Sequence, residues 1–506
     1  MRVLTAALMK QEDEACIAWG LSGPVLMERA ALGAVDAMRA RWPDPGGVLV
    51  LAGPGNNGGD GLAMARLLLG LGHPVQVLLC ADPGRLSADA RAQWRLLDTM
   101  PEARLAVSSA LDDDALTGLL DASPCRVDAL LGIGTRSPLR GEIARVLALA
   151  ASRPRPRIQV AVDLPSGLDT DTAQRWGPVQ AADLTVTFHA PKPAHLLPPG
   201  AALCGALVVV DIGIPPHLAG PDTGRVFDRQ AACETHRPLA RDGHKARHGR
   251  AWLRAGSVEM PGAAVLAAGG ACRSGVGYIH LASPPPVTAL VVARHPSVLG
   301  SAADWPLAAC DALGLGSGVG VDAAHQALQA LDGEASAQSA GWRLVIDADG
   351  LTALAQWTGP PWPADAPVVL MPHPGELARL LGVETAAVQQ DLAGATREAA
   401  RRWCAVVLAR SAGSVVATPS GTRWWIGGGS PGLGRAGTGD VLMGLLTGLM
   451  ARLRPATLEE AAAVAALAAW IHADASRRAV AAASLTAADL VELLPATFAD
   501  LEHPDG

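Results

Sequence analysis

The sequence predicts an α/β protein built from two successive domains, each a parallel sheet covered by helices. Three observations carry this. Short β-type runs alternate with helical stretches along the chain, the pattern of repeated βαβ units. Half of the 506 residues are hydrophobic, yet there is one Tyr and only three Phe, so the core must be Leu, Val and Ala, as in a helix-covered sheet. A polar, proline-containing segment, 214–249, reads as a linker and divides the alternation into two series.

The first series places strands at 48–53, 74–80, 126–134, 158–167, 184–188 and 206–213, with helical text such as "LAMARLLLGLG" between the early ones. The second runs through "AWLRAGS", "YIHLAS", "DALGLGSG", "RLVIDADG", "PVVLMPHPGE", "CAVVLAR", "SVVATP" and "RWWIGG", then a helical tail. No internal repeat relates the halves. Domains are expected over 1–220 and 225–506.

Composition narrows the function. The net charge of −7, without a block of like charge, argues against nucleic acid as the main partner. Eight cysteines occur without a CxxC pair, which fits reduced thiols in the cytoplasm rather than disulfides or zinc. Acidic residues cut short the apolar run at the N-terminus, and "LEEAAAVAALAAWIHA" is too short and Ala-rich for a membrane span, so a buried helix and no membrane are expected.

Several strands end in glycine-rich or acidic text, and ligands of open α/β sheets bind beyond the carboxyl ends of strands. The first such end, "GPGNNGGDG" (53–61), follows the apolar run "VLVLA". Free N–H groups at a helix start suit an anion, while the Asn56 and Asn57 amides and the Asp60 carboxylate suit a hard cation. Asp60 could equally cap a helix starting near Leu62. Asp128 lies inside the apolar run "RVDALLGIG", where an unpaired carboxylate is costly. Asp163 and Ser166 lie at another strand end, "DLPSGLD", beside Pro165 and Gly167.

In this order, "GPGNNGGDGLAMARLL", "VDALLGIGTR", "VDLPSGLDTDT" and "FHAPKPAHLLPPG", with "LMERA" (26–30) before them, resemble the N-terminal domain of the bifunctional NAD(P)H-hydrate repair enzymes. The resemblance implies a Rossmann-like three-layer domain that epimerises hydrated NADH or NADPH. It implies a potassium ion held by Asn57, Asp128 and Ser166. Substrate contacts are expected from Asn56, Asn57, Gly58, Gly59 and Asp60, from Gly132, Ile133, Gly134, Thr135, Arg136, Ser137 and Pro138, and from Asp163. Asp128 and Asp163 are the candidates for the acid–base residue.

In the second half, "RAGTGDVLMGLLTGL" (435–449) sets Gly437 and Gly439 before an apolar helix, a nest of N–H groups for an anion. Asp440 follows in the first turn, where it can cap the helix or take a proton from a hydroxyl. "GLGSG" (314–318), "DADG" (347–350) and "MPHPGE" (371–376) mark three further strand ends, with His373 fixed between prolines.

These pieces, with "HKARHGRAWLRAGSVEMPGAAVLAAGG" and "VIDADGLTALA", resemble the C-terminal ADP- or ATP-dependent dehydratase half of the same enzymes, which is ribokinase-like. The resemblance implies phosphorylation of the hydrate's hydroxyl by ADP with Mg²⁺, then elimination to NAD(P)H, leaving AMP and phosphate. Asp440 is the expected base. Ala264, Gly316, His373 and Asp440 are expected at the hydrate, and Arg410, Ser411, Ala412, Gly413, Ser414 and Gly439 at the nucleotide. The chain departs from the family at "RSAGS" (410–414), where a Lys-Gly segment is usual, at Ala246 in "HKARHG", and at Thr352, where Asn is common. Arg410 keeps the charge of that Lys on a planar fork. The partners expected are small molecules, in a homo-oligomer. Two other readings were open: a ribokinase-like small-molecule kinase with a regulatory front domain, and a non-enzymatic binding scaffold at the front.

Overall fold

A computed structural model describes all residues except 136, 241, 302–309, 336–342 and 504–506. The chain divides into two compact units, Met1–Thr223 and Gly224–Gly506.

The front unit holds a seven-stranded sheet: β1 (Val48–Ala52), β2 (Val75–Leu79), β3 (Arg104–Val107), β4 (Cys125–Ala129), β5 (Ile158–Val162), β6 (Leu184–Phe188) and β7 (Ala206–Val210). Their order is β3-β2-β1-β4-β5-β6-β7, and every pairing is parallel. Side chains alternate across the sheet. Val48, Val50 and Ala52 of β1 join one buried cluster with helices α2 (Gly23–Arg41) and α3 (Asn56–Gly70). Leu49 and Leu51 join another, with Leu116, Leu120, Val146 and Leu147 from two helices on the opposite face. That is a three-layer unit with an apolar strand at its centre, as the continuous apolar text of β1 requires. The chain leaves β1 towards β2 and β3, then returns to add β4 on the other side. The carboxyl ends of β1 and β4 therefore flank a topological switch point, where a crevice opens.

The back unit holds a ten-stranded sheet in the order β11-β10-β9-β12-β13-β14-β15-β16-β17-β8. Its strands are β8 (Arg225–Val226), β9 (Arg250–Arg254), β10 (Tyr278–Ala282), β11 (Val298–Ser301), β12 (Ala312–Leu315), β13 (Leu344–Ile346), β14 (Val368–Leu370), β15 (Val406–Ala409), β16 (Ser414–Ala417) and β17 (Arg423–Ile426). Pairing is parallel from β11 to β15, whereas β16 runs antiparallel to both its neighbours. Its switch point lies between β9 and β12. The helices Pro261–Cys272 and Thr438–Leu453 cross closely above these strands. Only glycine permits the approach, since a Cβ on Gly444 would fall 1.8 Å from the Ala267 carbonyl oxygen.

Three elements differ from expectation. β3 and β11 are added edge strands; "RLAV" is short, half-buried and lacks a flanking signal. The segment read as a linker is in part structure: β8 pairs with β17, and residues Arg229–Thr235 form a helix capped by Asp228. Its prolines and charges mark an edge strand rather than free chain. "LEEAAAVAALAAWIHA" is the helix Leu458–Arg477, buried on most of its surface, and among the described residues no helix is long and apolar enough to cross a membrane.

Candidate active sites at the two switch points

In the front unit a cleft of about 590 Å³ opens at the ends of β1 and β4. Asn56, Asn57 and Asp60 line it from α3, Leu130–Gly134 from the loop after β4, and Asp163 from the end of β5. The glycine loop answers a steric demand. α3 begins at Asn56, with Gly55 as its N-cap, so Asp60 sits within the helix and caps nothing. Gly58 is pressed against β1's exit, where a Cβ would fall 1.9 Å from the Gly53 carbonyl oxygen. The loop thereby leaves N–H groups at a helix start facing the cleft.

Asp163 is the electrostatic centre. It is 7% exposed and held at φ 64°, a left-handed conformation costly for a side-chain-bearing residue. Its Oδ1 accepts hydrogen bonds from the Lys192 ammonium at 2.7 Å and the Thr187 hydroxyl at 2.8 Å. Burial pushes this carboxyl up, but the Lys192 charge and hydrogen bond outweigh it and hold Asp163 below the usual carboxylate range. Lys192 is 1% exposed and also donates to Thr187 and to the Phe188 carbonyl. His195 fixes the turn that carries Lys192: its Nδ1 accepts from the Lys192 N–H and its Nε2 donates to the Asp163 carbonyl, so it is neutral. Burial, with the Lys192 charge, pushes it down to about 4.

Asp60 and Asp13 share the cleft without an ion pair of their own among the described residues. Burial pushes Asp60 well above the usual range, with Asp163 and Asp13 adding to the effect. Asp13, from the N-terminal helix α1 (Ala6–Trp19), is pushed up to about 7 by burial, against the pull of Lys192.

Asp128 stands behind the cleft rather than in its wall. Its Oδ1 accepts from the Ser166 hydroxyl at 2.6 Å and its Oδ2 from the Ser166 N–H at 2.9 Å. Burial raises it while these bonds oppose the rise. With its oxygens occupied and no face on the cleft, Asp128 is badly placed for proton transfer, and the geometry favours Asp163 of the two candidates. Ser166 in turn accepts the Leu131 N–H at 2.9 Å. The next residue, Gly132, lies between Asn57 and Asp163: a Cβ there would stand 3.1 Å from the Asn57 Oδ1 and 3.0 Å from the Asp163 Oδ2. Both polar atoms of the Asn57 side chain are buried without a hydrogen-bond partner. An orphaned amide oxygen near the Asp163 carboxylate is a hard oxygen donor of the kind an alkali cation takes.

The remaining expected contacts divide. Gly132, Ile133 and Gly134 line the cleft; Gly58 and Gly59 are buried behind the loop; Thr135 is buried with its hydroxyl on the Gly132 carbonyl; Ser137 and Pro138 are exposed and outside the lining. Arg136 lies outside the described residues.

In the back unit the helix Thr438–Leu453 starts at the left-handed Gly437, and no side chain caps it. Its first N–H groups are thus open, and Asp440 is free for other work. Burial raises the Asp440 carboxyl, opposed by the Ser317 hydroxyl beside it and by Arg410. Ser317 follows Gly316, whose φ of 131° and contact with the Asp347 carbonyl oxygen (1.8 Å from a would-be Cβ) exclude any side chain. The Ser317 carbonyl accepts the Gly256 N–H at 2.7 Å, joining the loops after β9 and β12, and a Cβ on Gly256 would meet Ala264 at 2.7 Å.

Arg410 covers the nest. Its Nη1 would lie 2.2 Å from a Cβ on Gly439. Its Nη2 donates to Asp347 at 2.6 Å and Glu376 at 3.4 Å, and its N–H to the Pro372 carbonyl at 2.9 Å. Asp347, 2% exposed, is pushed up to about 7 by burial, against Arg410. His373 caps the helix Pro374–Leu381, with Nδ1 accepting the Gly375 N–H, while Glu376 returns a bond to the His373 N–H; the ring's other edge is exposed. Arg410, Asp347, Glu376 and His373 thus form one bonded group, with Gly439 under the guanidinium and Asp440 next to it in the chain. Of the other expected nucleotide contacts, Ser411 and Ser414 are half-buried, Ala412 is exposed and Gly413 is buried on the same loop.

Sequence reasoning did not single out Lys192, Glu376, Ser317 or Asp13 as site residues. Lys192 carried the clearest signal: a lysine in "HAPKPAHLL" has no solvated face and needs a partner.

Residues 23–194 match the family model described as YjeF-related protein N-terminus, and residues 251–496 the model described as NAD(P)H-hydrate dehydratase. The bifunctional NAD(P)H-hydrate repair enzyme Nnr of Moorella thermoacetica is 34% identical over 99% of this chain and 98% of its own. That of Salinibacter ruber is 35% identical over 98% and 96%. A crystal structure of the ADP/ATP-dependent NAD(P)H-hydrate dehydratase from Bacillus subtilis, co-crystallized with ATP/Mg²⁺, is 28% identical over 55% of this chain and 99% of that one, with a TM-score of 0.48. With relatives of this identity aligned end to end, both halves in the same order, the chain belongs to the bifunctional NAD(P)H-hydrate repair enzymes.

Proposed function

We propose that the front unit interconverts the two epimers of hydrated NADH or NADPH at the Asp163–Lys192 cleft, and that the back unit dehydrates one of them at Asp440 with ADP as phosphoryl donor. The observation that carries this reading is the same in both units: at each switch point a strand-end carboxyl paired with a cation, Asp163 with Lys192 and Asp347 with Arg410, adjoins a further carboxyl that burial pushes up. Such a pair can take and give protons on one bound molecule.

In the back unit the hydrate's hydroxyl is a poor leaving group. Asp440 takes its proton as the oxygen attacks the terminal phosphorus of ADP; the bridging P–O bond breaks and AMP leaves. Phosphate then departs with the C–O electron pair, and the proton that hydration added to the neighbouring carbon is lost, restoring the dihydronicotinamide. The open N–H groups at Gly439 and the Arg410 guanidinium face the charge on the transferring group. Magnesium bound with the nucleotide would supply positive charge at the phosphates; Asp347 and Glu376, both on Arg410, are carboxylates that would hold it. In the front unit potassium, held by Asn57, Asp128 and Ser166, would supply a positive charge at the glycine loop. The eight free thiols support a cytoplasmic setting.

The test mixes the full chain with both epimers of hydrated NADH, ADP and Mg²⁺, and follows absorbance of the reduced nicotinamide. Complete recovery is expected. Recovery stopping at one epimer, after correction for spontaneous epimerisation, removes the front-unit claim; no recovery with ADP or ATP removes the dehydratase claim.

A further inference from the structure

The helix α1 builds one wall of the front cleft. Met9, Lys10, Asp13, Glu14 and Ile17 all line it, although α1 precedes the segment that the family model matches. It is firmly set. Glu12, 2% exposed, accepts from Arg2 at 2.7 Å, bonds His189 at 2.7 Å and accepts the Gly220 N–H at 2.9 Å. The Ala6 N–H donates to Asp171 at 2.8 Å, and the Leu4 N–H to the Pro191 carbonyl at 3.1 Å, one residue before Lys192. The clamp on Glu12 fixes the neighbouring Asp13 in the α1 wall of the cleft that Asp163 and Lys192 also line.

Epimerisation at a carbon bearing both a hydroxyl and the ring nitrogen has a simple balanced route. The nitrogen lone pair forms a C=N bond as the C–O bond breaks, its electron pair leaving with oxygen, which takes a proton and departs as water. Water then adds to the other face, giving up a proton. One acid and one base are needed, on different sides of the ring, and they exchange roles in the reverse direction. Asp163, ion-paired, is the base for one side. We propose that Asp13 is the second catalytic carboxyl of the epimerase, giving a proton to the departing hydroxyl on one face while Asp163 accepts one from the water added on the other. Protons re-equilibrate with solvent through the open cleft. Burial pushes Asp60 well above the usual carboxylate range, whereas Asp13 is pushed up to about 7, the poise that an exchange of acid and base roles needs. The charged groups that share the cleft with Asp13 are Lys10 and Glu14 on its own helix, Asp60 on α3, Asp89, and Asp163 and Lys192 from the strand ends, with Glu12 as its chain neighbour.

This rests on the epimerase reading above, and one experiment separates the two. Epimerisation of purified hydrate by the full chain is followed without nucleotide, for the wild type, Asp13→Asn and Asp13→Glu, between pH 5 and 9. The expected result is a fall of about 100-fold or more in kcat for Asp13→Asn, with loss of one limb of the pH profile, little change in KM, and partial rescue by Asp13→Glu with that limb moved. Hydrogen exchange of α3 peptides, residues 56–70, in the same preparations reports folding of the front unit. Wild-type epimerase with Asp13→Asn within threefold of it, or with only KM raised, overturns the role of Asp13. Failure of rescue with an unmoved pH profile in Asp13→Glu overturns it too. A wild type without epimerase activity overturns the epimerase reading itself.

Discussion

Replacing Asn57 by Leu tests the cation pocket without assaying catalysis. The amide's two polar atoms are buried without partners, and an unsatisfied buried amide costs about 1–3 kcal/mol. Leu has nearly the same shape and no polar atom. In buffer free of potassium, Asn57→Leu is therefore expected to stabilise the front unit by about 1–3 kcal/mol. A cation bound by the folded state alone, at a hundred times its Kd, stabilises the wild type by about 2.7 kcal/mol and the variant by nothing. The order of stabilities should close or invert when KCl replaces tetramethylammonium chloride at equal ionic strength. Hydrogen exchange of α3 peptides, residues 56–70, in the full chain isolates the front unit from the back. A wild type indifferent to potassium, with Asn57→Leu less stable in both salts, would refute the reasoning and show that the amide's partner is something else.

Asp440→Asn should lower dehydratase kcat by about 10²–10⁴-fold and leave epimerisation unchanged; recovery of NADH at wild-type rate would assign the base elsewhere. Arg410→Met should cost the nucleotide step about 10- to 150-fold, the equivalent of one charge-assisted hydrogen bond of about 1.5–3 kcal/mol, read as kcat/KM for ADP, while Arg410→Lys, a single point of charge, restores only part of it. His195 and His472 are each pushed down to about 4 by burial, whereas an unfolded His titrates near 6.5. The unfolded chain thus binds more protons in between, so their contribution is complete above about pH 6.5, is lost as pH falls towards 4, and is on the order of 3 kcal/mol each. Denaturant midpoints should fall across that window, less so in His472→Gln.

The fold was legible because both sheets put apolar strands at their centres and glycine or acid at their ends. "VLVLA" followed by "GPGNNGGDG" shows burial and a ligand loop within fourteen residues. The less legible parts obeyed weaker rules. β8 is two residues long, below any periodicity, and exists only because β17 offers an edge. Asp60 and Asp440 were both open to reading as helix caps; each helix instead starts earlier, at glycines whose backbone leaves the N–H groups open. Lys192, Glu376 and Asp13 are long-range partners of residues the text did mark, and one sequence does not announce which acid meets which base across roughly 30 or more positions. Asp128, a carboxylate in an apolar strand, was grouped with Ser166 from the text, and the two are hydrogen-bonded.

The two units reach one electrostatic arrangement on different sheets. Each has a strand-end carboxylate on a single cation: Asp163 on Lys192 in front, Asp347 on Arg410 behind. Each cation already serves that carboxyl before any substrate arrives, so its pull on the next carboxyl in the cleft is outweighed by burial. That is why Asp13, Asp60 and Asp440 all move upward. The outcomes differ in the cation. Lys192 is 1% exposed and makes all its bonds within the protein, so its charge is committed to holding Asp163 ionised, the condition of a base. Arg410 keeps Nη1 over the Gly439 nest while Nη2 holds Asp347, and a planar fork can serve an acid and a phosphate at once where an ammonium is a single point. Arginine at 410 therefore joins the acid pair to the phosphate nest.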